Sequence, residues 1–395
     1  MKTLNEVKNQ EQMKALKAWV EASFRASIIA PTGFGKTRLI TIAAGEHIRR
    51  NPEENWLVIT PTENIRDNEI PIDFSNWGYE SEYKKLEVEC IQTVYKWSGR
   101  HFSGVIVDEV HTVLTEEYFK FFENNTFDKI LCLTATIPEE QSKIDLLAKI
   151  APISYTLTLD EARLLGLVSD YLVFNLPVEF TSSELAAYKK ADNTFNYASM
   201  QFGYGFDSFS KATAALNGTD KEAKAFAAMY YNSMKKRKDI CYNAINKVVA
   251  VKQILDLFPD RYSLVFSETI EFADKVQSLL GTECASFNSK MKKKEREKTL
   301  RLFNDPDSKK RVISSVKALD VGFNVEDISL CITAAGSSKE LQSTQRLGRS
   351  LRVKEGKIAI MVNLYVPNTQ EVKWVDKRTK NHSPIWIKKV EDIKI

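Results

Sequence analysis

Four histidines and five cysteines in 395 residues leave little from which to build a metal centre. Cys90, Cys132, Cys241, Cys284 and Cys331 form no C-x-x-C pair. Three of them sit in apolar runs (VECI, ILCLT, SLCIT), where cysteine behaves as a small hydrophobe. No structural zinc site is expected, and reduced thiols of an intracellular protein are. Glycine and proline are also sparse, 15 and 11, beside 43% hydrophobic and 27% charged residues. That excludes a collagen, a linker protein and a wholly disordered chain. The apolar runs are strand-sized, such as LVIT from Leu57 and ILCLTATI from Ile130, which excludes a membrane-spanning helix. The opening MKTLNEVKNQEQ lacks the apolar stretch of a secretion signal, so none is expected. A net charge of +4, from 56 Lys+Arg and 52 Asp+Glu, excludes a histone-like polycation. Any polyanion must be met by local patches.

What is present is alternation of strand and helix patterns. An amphipathic helix is predicted over Glu11–Phe24, with Met13, Leu16, Trp19, Val20 and Phe24 at helical spacing. Strands are predicted at Ala26–Ala30, Trp56–Thr60, Glu87–Ile91, Val105–Val107 and Ile130–Leu133, with helices starting near Thr37, Glu63, Glu116 and Glu139. Such alternation implies a mostly parallel sheet with helices on both faces, in a first unit ending near Pro152. A second unit of the same class has strands at Tyr171–Val178, Ser263–Phe266, Val312–Ser315, Leu330–Thr333 and Lys357–Leu364. Its helices are expected at Ile270–Leu280, Lys294–Phe303 and Leu341–Leu351. Thr181–Phe258, rich in Ala, Lys, Tyr and Met, reads as a helical insertion with a loop-like middle from Phe202 to Phe206 and at Asn217-Gly218. The expected division is 1–155, a linker over 156–170, and 171–395. The last part carries the insertion at about 181–258 and a short basic C-terminal tail.

Ala30-Pro-Thr-Gly-Phe-Gly-Lys-Thr37 follows a strand and opens a helix, the context a phosphate-binding loop needs. Gly33 and Gly35 let backbone N–H groups wrap phosphates, Lys36 reaches the terminal ones, and the Thr37 hydroxyl suits Mg²⁺. Thr32 and Phe34 complete the loop. In Val105-Ile-Val-Asp-Glu-Val-His111 an apolar strand ends in paired carboxylates. Downstream of a phosphate loop, Asp108 fits the outer sphere of the magnesium ion and Glu109 fits a base for water. Thr134-Ala-Thr136 lies at another strand end. In Gln342–Arg352, Gln345, Arg349 and Arg352 recur at near-helical spacing, and the embedded Gly348 suits close approach of another group.

In this order the motifs resemble those of superfamily 2 helicases and translocases, over nearly the whole chain. The phosphate loop is similar to motif I, Thr60-Pro-Thr62 to Ia, Asp108-Glu-Val-His111 to II in a DExH form, and Thr134-Ala-Thr136 to III. Ser263–Ser267 is similar to IV, Ala318–Asn324 to V, and Gln345–Arg352 to VI. Glu161–Gly166 followed by the strand at Tyr171 resembles the branch holding phage UvsW-type helicases, XPB-like proteins and type III restriction translocases. The resemblance implies two RecA-like doubly wound parallel-sheet domains, α/β in class, with ATP and Mg²⁺ in the cleft between them. It implies Lys36, Thr37, Asp108 and Glu109 from the first domain, and Arg349 and Arg352 from the second as arginine fingers, which can be worth about 10³–10⁵ in rate. Gln345 would touch the γ-phosphate or the water. Gln10 would read the adenine, and Gly322 and Asn324 would lie at the nucleotide. Motif V here ends Gly322-Phe-Asn324 where the family has G-x-D, which replaces a charge by a neutral amide. Pro61, Thr62, Gln92, Thr93, Ser267, Ser315 and Lys317 would contact nucleic acid, DNA in preference to RNA. The resemblance further implies no membrane, a protein partner supplying specificity, a cytoplasmic setting (the host's, if the chain is viral) and, from the frequency of compact motors in phages, a viral source.

Two basic runs stand apart from these motifs. Ser286–Val312 holds ten Lys/Arg against four Asp/Glu, and Lys235-Lys-Arg-Lys238 lies in the insertion. Each reads either as a solvated face or as a surface tracking phosphates. Phe202, Tyr204, Phe206 and Phe209 read as packing of the insertion or as a wedge for bases. An RNA-directed ATPase and a non-hydrolysing ATP-gated clamp are the alternatives to a DNA motor.

Overall fold

The computed structural model describes residues 3–138, 140–203, 207–288, 290–305, 307–316, 328–336 and 358–395. The chain divides into two compact units, one holding the described residues to Tyr171 together with Ile358 and Ala359, the other the remaining described residues from Leu172.

Unit one runs α1 (Leu4–Glu21), β1 (Arg25–Ile29), α2 (Lys36–Arg50), β2 (Trp56–Thr60), α3 (Ile70–Asn76), α4 (Glu80–Tyr83), β3 (Leu86–Cys90) and α5 (Ile91–Val94). It continues with β4 (His101–Val107), α6 (Glu116–Asn124), β5 (Thr126–Thr134), α7 (Gln141–Ile150), β6 (Ile153–Thr156) and α8 (Leu159–Leu164). Helix α1 begins seven residues before the predicted start because Thr3 and Glu6 form a reciprocal capping box. It ends before Phe24 because Ser23 and Phe24 take left-handed backbone angles. Trp19 then fastens α1 to the sheet, its indole N–H donating to the Ile130 carbonyl at 2.8 Å.

The strands order β3-β2-β4-β5-β1-β6, all paired in parallel. Leu57, Val58, Ile59, Val105, Ile106 and Val107 are fully buried, as strands covered on both faces require. One core cluster runs from Leu57 and Ile59 through Val105 and Val107 to Phe119, Phe122 and Leu147. The segment 156–170, expected as a linker, contains α8 and clusters with unit one.

Unit two runs β7 (Asp170–Pro177, which starts at the unit boundary), α9 (Ser182–Met200), α10 (Asp207–Asn217), α11 (Lys221–Tyr242), α12 (Ile245–Leu257), β8 (Ser263–Ser267) and α13 (Ile270–Leu280). After these come β9 (Cys284–Asn288), α14 (Lys293–Phe303), β10 (Val312–Val316), β11 (Leu330–Thr333), β12 (Ile358–Tyr365), α15 (Gln370–Thr379) and β13 (Ile385–Trp386). The sheet order is β13-β7-β12-β11-β8-β10-β9.

The expected insertion needs trimming. Val248, Val251 and Ile254 of α12 belong to the core against this sheet, so α12 is part of the domain itself. The added module is α9–α11, with a small core of its own around Ala198, Phe202, Ala212, Ala227 and Tyr230. Phe202 is therefore packing, while Phe209 is exposed. The helix expected at 341–351 lies outside the described residues, as do Tyr204 and Phe206. Among the described residues no helix is long and apolar enough to cross a membrane, and all five cysteines are buried with no disulfide among them.

Candidate active site

Parallel strands point their C-terminal ends to one edge, and in unit one that edge collects the motif residues. The chain leaves β1 through Pro31 and Thr32 into a turn that only glycine makes without strain: Gly33 has φ +93° and Gly35 +87°. Phe34 between them is buried, its ring stacked on Tyr155 at 6.3 Å between centroids. Tyr155 in turn donates to Glu11 Oε2 at 2.9 Å. Gln12 of α1 holds the loop from the other side, donating to the Phe34 carbonyl at 2.7 Å and the Gly35 carbonyl at 3.4 Å. An added Cβ on Gly35 would lie 2.5 Å from Gln12 Nε2. Helix α2 starts directly after Gly35 with no side-chain cap, so its first N–H groups and the positive end of its dipole face the loop. This is a fixed cradle for phosphate oxygens.

Lys36 opens α2. Its Nζ donates to the Ala30 carbonyl at 3.2 Å and lies 4.0 Å from Glu109 Oε1. Asp108 and Glu109 follow β4. The Asp108 amide still donates to the Ile59 carbonyl of β2 at 2.9 Å, so Asp108 is held by the sheet. Glu109 then takes a left-handed conformation, φ 48°, which turns the chain into a short 3₁₀ segment. His111 Nδ1 lies 3.3 Å from Glu109 Oε2 and 3.0 Å from Thr134 Oγ1, and Thr134 Oγ1 donates to Glu109 Oε2 at 3.4 Å. Thr134 ends β5, the neighbour of both β1 and β4. Lys36, Glu109, His111 and Thr134 thus form one connected set.

The two carboxylates are driven apart electrostatically. Burial first, then the adjacent Glu109 charge, pushes the Asp108 carboxyl well above the ordinary range. Burial also opposes charge on Glu109, but Lys36 and the hydrogen bond with His111 outweigh it and hold Glu109 below that range. Glu109 is therefore an anion oriented by three groups, while Lys36 offsets only part of what burial and Glu109 cost Asp108. A divalent ion beside Thr37 and Asp108 would supply further positive charge. Among the described residues no group of three or more His, Cys, Asp or Glu could hold a metal by itself.

Two residues here carried no sequence signal. Gln12 reaches the loop, whereas Gln10 lies exposed on α1. Asp73 of α3 is hydrogen bonded with Thr37, and burial pushes its carboxyl up.

The candidate nucleic-acid residues separate. Thr60 pairs with Cys90 in register, which brings Pro61, Thr62, Gln92 and Thr93 to the same sheet edge, on the half away from the phosphate loop. Gln92 and Thr93 are exposed there. Thr62 Oγ1 accepts from the Ile65 amide at 3.5 Å. Ser267 and Ser315 are fully buried in inner strands of the second sheet, so their side chains are not presented to a ligand as expected. Gly322, Asn324, Lys317, Gln345, Arg349 and Arg352 lie outside the described residues.

The basic runs also divide. Lys294, Lys298 and Arg301 form an exposed stripe along α14. Lys310 is committed to the carbonyls of Thr282 and Cys284, Arg311 to Glu283, and Arg237 to Asp192 at 2.9 Å.

Residues 6–139 match the res subunit of type III restriction enzymes, and residues 246–354 match the helicase conserved C-terminal domain. The chain is 27% identical over 385 residues to the DNA 3'-5' translocase XPB2 of Sulfurisphaera tokodaii, covering 93% of this chain and 83% of that one. In fold it is similar to S. cerevisiae Dbp5 bound to RNA and ADP BeF3, with TM-score 0.62, 13% identity, and coverage of 97% and 90%. The helicase domain of Pyrococcus furiosus Hef gives TM-score 0.57 and 15% identity, with coverage of 93% and 97%. Two RecA-like sheets and these paired matches place the chain in superfamily 2, among the helicases and translocases that act as nucleic-acid-dependent ATPases.

Proposed function

We propose that this chain hydrolyses ATP with Mg²⁺ to drive movement along DNA, unwinding or remodelling it. The observation that carries the reading is the connected set Lys36–Glu109–His111–Thr134 beside the phosphate cradle. Lys36 and the start of α2 bind the β- and γ-phosphates. Thr37 and Asp108 hold the metal, partly through water. Glu109, kept anionic, orients the attacking water and takes its proton. Gln345, Arg349 and Arg352 are proposed from their sequence pattern to act on the γ-phosphate. DNA is favoured over RNA because the XPB2 relative is a DNA translocase. Pro61, Thr62, Gln92 and Thr93 form the proposed track surface on unit one. Preference for one DNA structure is proposed to come from the α9–α11 module, the C-terminal tail or a protein partner.

The test is ATP turnover alone, then with single-stranded, duplex and branched DNA and with RNA. DNA should stimulate turnover, and Glu109→Gln should abolish it while nucleotide still binds. Stimulation by RNA alone would overturn the DNA assignment. Full turnover in Glu109→Gln would overturn the mechanism.

A further inference from the structure

Phe34 is an apolar residue in the middle of a loop that meets phosphate. It lies between Gly33 and Gly35, both at positive φ, yet its own side chain is 1% exposed. Backbone and ring are both held. The Phe34 amide donates to the Pro31 carbonyl at 3.2 Å and closes the turn. Its carbonyl accepts from Gln12 Nε2 at 2.7 Å. Its ring stacks on Tyr155 with the planes inclined by 29°. In a trans peptide the C=O and the following N–H point opposite ways. Holding the Phe34 carbonyl against α1 therefore aims the Gly35 N–H away from that helix.

Tyr155 meets Phe34 because of an irregularity in the sheet. β6 pairs with β1 as Ser27 with Ile153 and then Ile28 with Tyr155, so the pairing skips Ser154. Side chains alternate along a strand, and without the extra residue Tyr155 would stand on the other face. A bulge of this kind is rare between parallel strands, and it re-aims a side chain. The tyrosine is then fixed from behind. Its OH donates to Glu11 Oε2 at 2.9 Å, and Lys14 Nζ donates to the other oxygen of Glu11 at 2.6 Å. The Phe34 ring thus bears on a residue tied to both β6 and α1.

Resting on the ATPase reading, we propose that Phe34 and Tyr155 form a peg that keeps the phosphate loop in its binding shape. Both are positioning residues. The peg serves the triphosphate and not the base, because the loop it fixes carries the N–H groups that meet phosphate oxygens. A loop released from the peg samples other shapes, which its glycines permit. Affinity then falls by the fraction of time spent in the binding shape.

The experiment measures binding of inorganic tripolyphosphate and of ATP, each with Mg²⁺, to the full chain by calorimetry. Tyr155→Leu removes the ring from outside the loop. It should weaken both ligands about tenfold, as for a loop in its binding shape about a tenth of the time. The two losses should agree within about twofold. Tyr155→Phe keeps the ring and loses only the bond to Glu11, so it should stay within about threefold of wild type. In DNA-stimulated turnover Tyr155→Leu should raise KM for ATP and leave kcat within about twofold, because binding is lost equally from ground and transition states. Phe102→Leu, in the buried core at the N-terminal end of β4, lies at the opposite edge of the sheet and should leave both affinities unchanged. Unchanged affinities in folded Tyr155→Leu would overturn the peg, as would an equal loss in Phe102→Leu. A loss for ATP alone would put Tyr155 at the base and overturn it too. Should Tyr155→Leu fail to fold by circular dichroism, Phe34→Leu is held to the same criterion. A wild-type chain that binds neither ligand would overturn the ATPase reading and the peg together. A wild type that binds ATP but not tripolyphosphate overturns the peg alone.

Discussion

Lys36 sits between a carbonyl and two carboxylates, and removing its charge has a consequence visible without any nucleotide. Lys36→Met keeps most of the stem and deletes the cation. With Nζ 4.0 Å from Glu109 Oε1, the lost attraction is about 4 kcal/mol at an effective dielectric near 20. Relief of the buried ammonium offsets part of this, and the Glu109 side chain is 19% exposed, so water screens the pair. The net loss of stability in unit one should be about 1–2 kcal/mol at about pH 8. The sign with pH follows from the pair. Glu109, held low by Lys36, contributes stability that is present above its ordinary range and lost as pH falls through its depressed folded value. The variant lacks that contribution and also leaves Asp108, already raised, facing an unbalanced neighbour. Its deficit is therefore full at about pH 8 and shrinks only as pH falls below the ordinary glutamate range towards about 2, where Glu109 itself takes up a proton. Urea unfolding followed by tryptophan fluorescence reads it, since Trp19, Trp56, Trp77 and Trp97 all lie in unit one. An equal deficit at both pH values would refute the electrostatic account.

Gly35→Ala places a Cβ at φ +87° and 2.5 Å from Gln12 Nε2, so it should cost about 1–2 kcal/mol in stability and weaken ATP binding at least about tenfold by calorimetry. Lys247→Met leaves the Glu371 carboxylate buried without its cation. It should destabilise unit two by about 3–5 kcal/mol in urea, and adding Glu371→Leu should return at least half of that. Trp19→Phe removes the indole N–H from the Ile130 carbonyl and should cost about 1–2 kcal/mol, read as a lower thermal midpoint. Lys294→Glu combined with Lys298→Glu should weaken duplex DNA binding and flatten its salt dependence by about two units of slope, leaving ATP turnover without DNA unchanged.

The legible strands were the inner ones. Runs such as LVIT and ILCLT are apolar throughout because parallel strands are covered on both faces, and the structure has β2 and β5 there. The strands that carried no signal, β6, β9 and β13, are all at sheet edges. Edge strands are short and half polar, as Ile153–Thr156 and Cys284–Asn288 show, so they lack both the run and the alternation. Helix α12 was read with the insertion because its period is the same as that of α9–α11; only its contacts with the sheet separate it. At the site, the loop and the Asp-Glu pair are legible because their chemistry fixes residue type and spacing. Gln12 and Asp73 are not, because each meets its partner across 22 and 36 residues of chain, through a backbone carbonyl in one case and a hydroxyl in the other.

The hydrogen bond from the Asp108 amide to the Ile59 carbonyl ties β4 to β2 at the point where one strand passes into the acidic pair and the other into Thr60-Pro61-Thr62. From that carbonyl to Pro61 is two residues of nearly inextensible backbone, and Pro61 has a fixed φ. A tug on the proposed track surface would therefore reach the Asp108 carboxylate through a lever only a few ångströms long, with no loop in between to absorb the movement. Slack between the proposed grip and the proposed catalytic pair is thereby kept small, because the two share neighbouring strands.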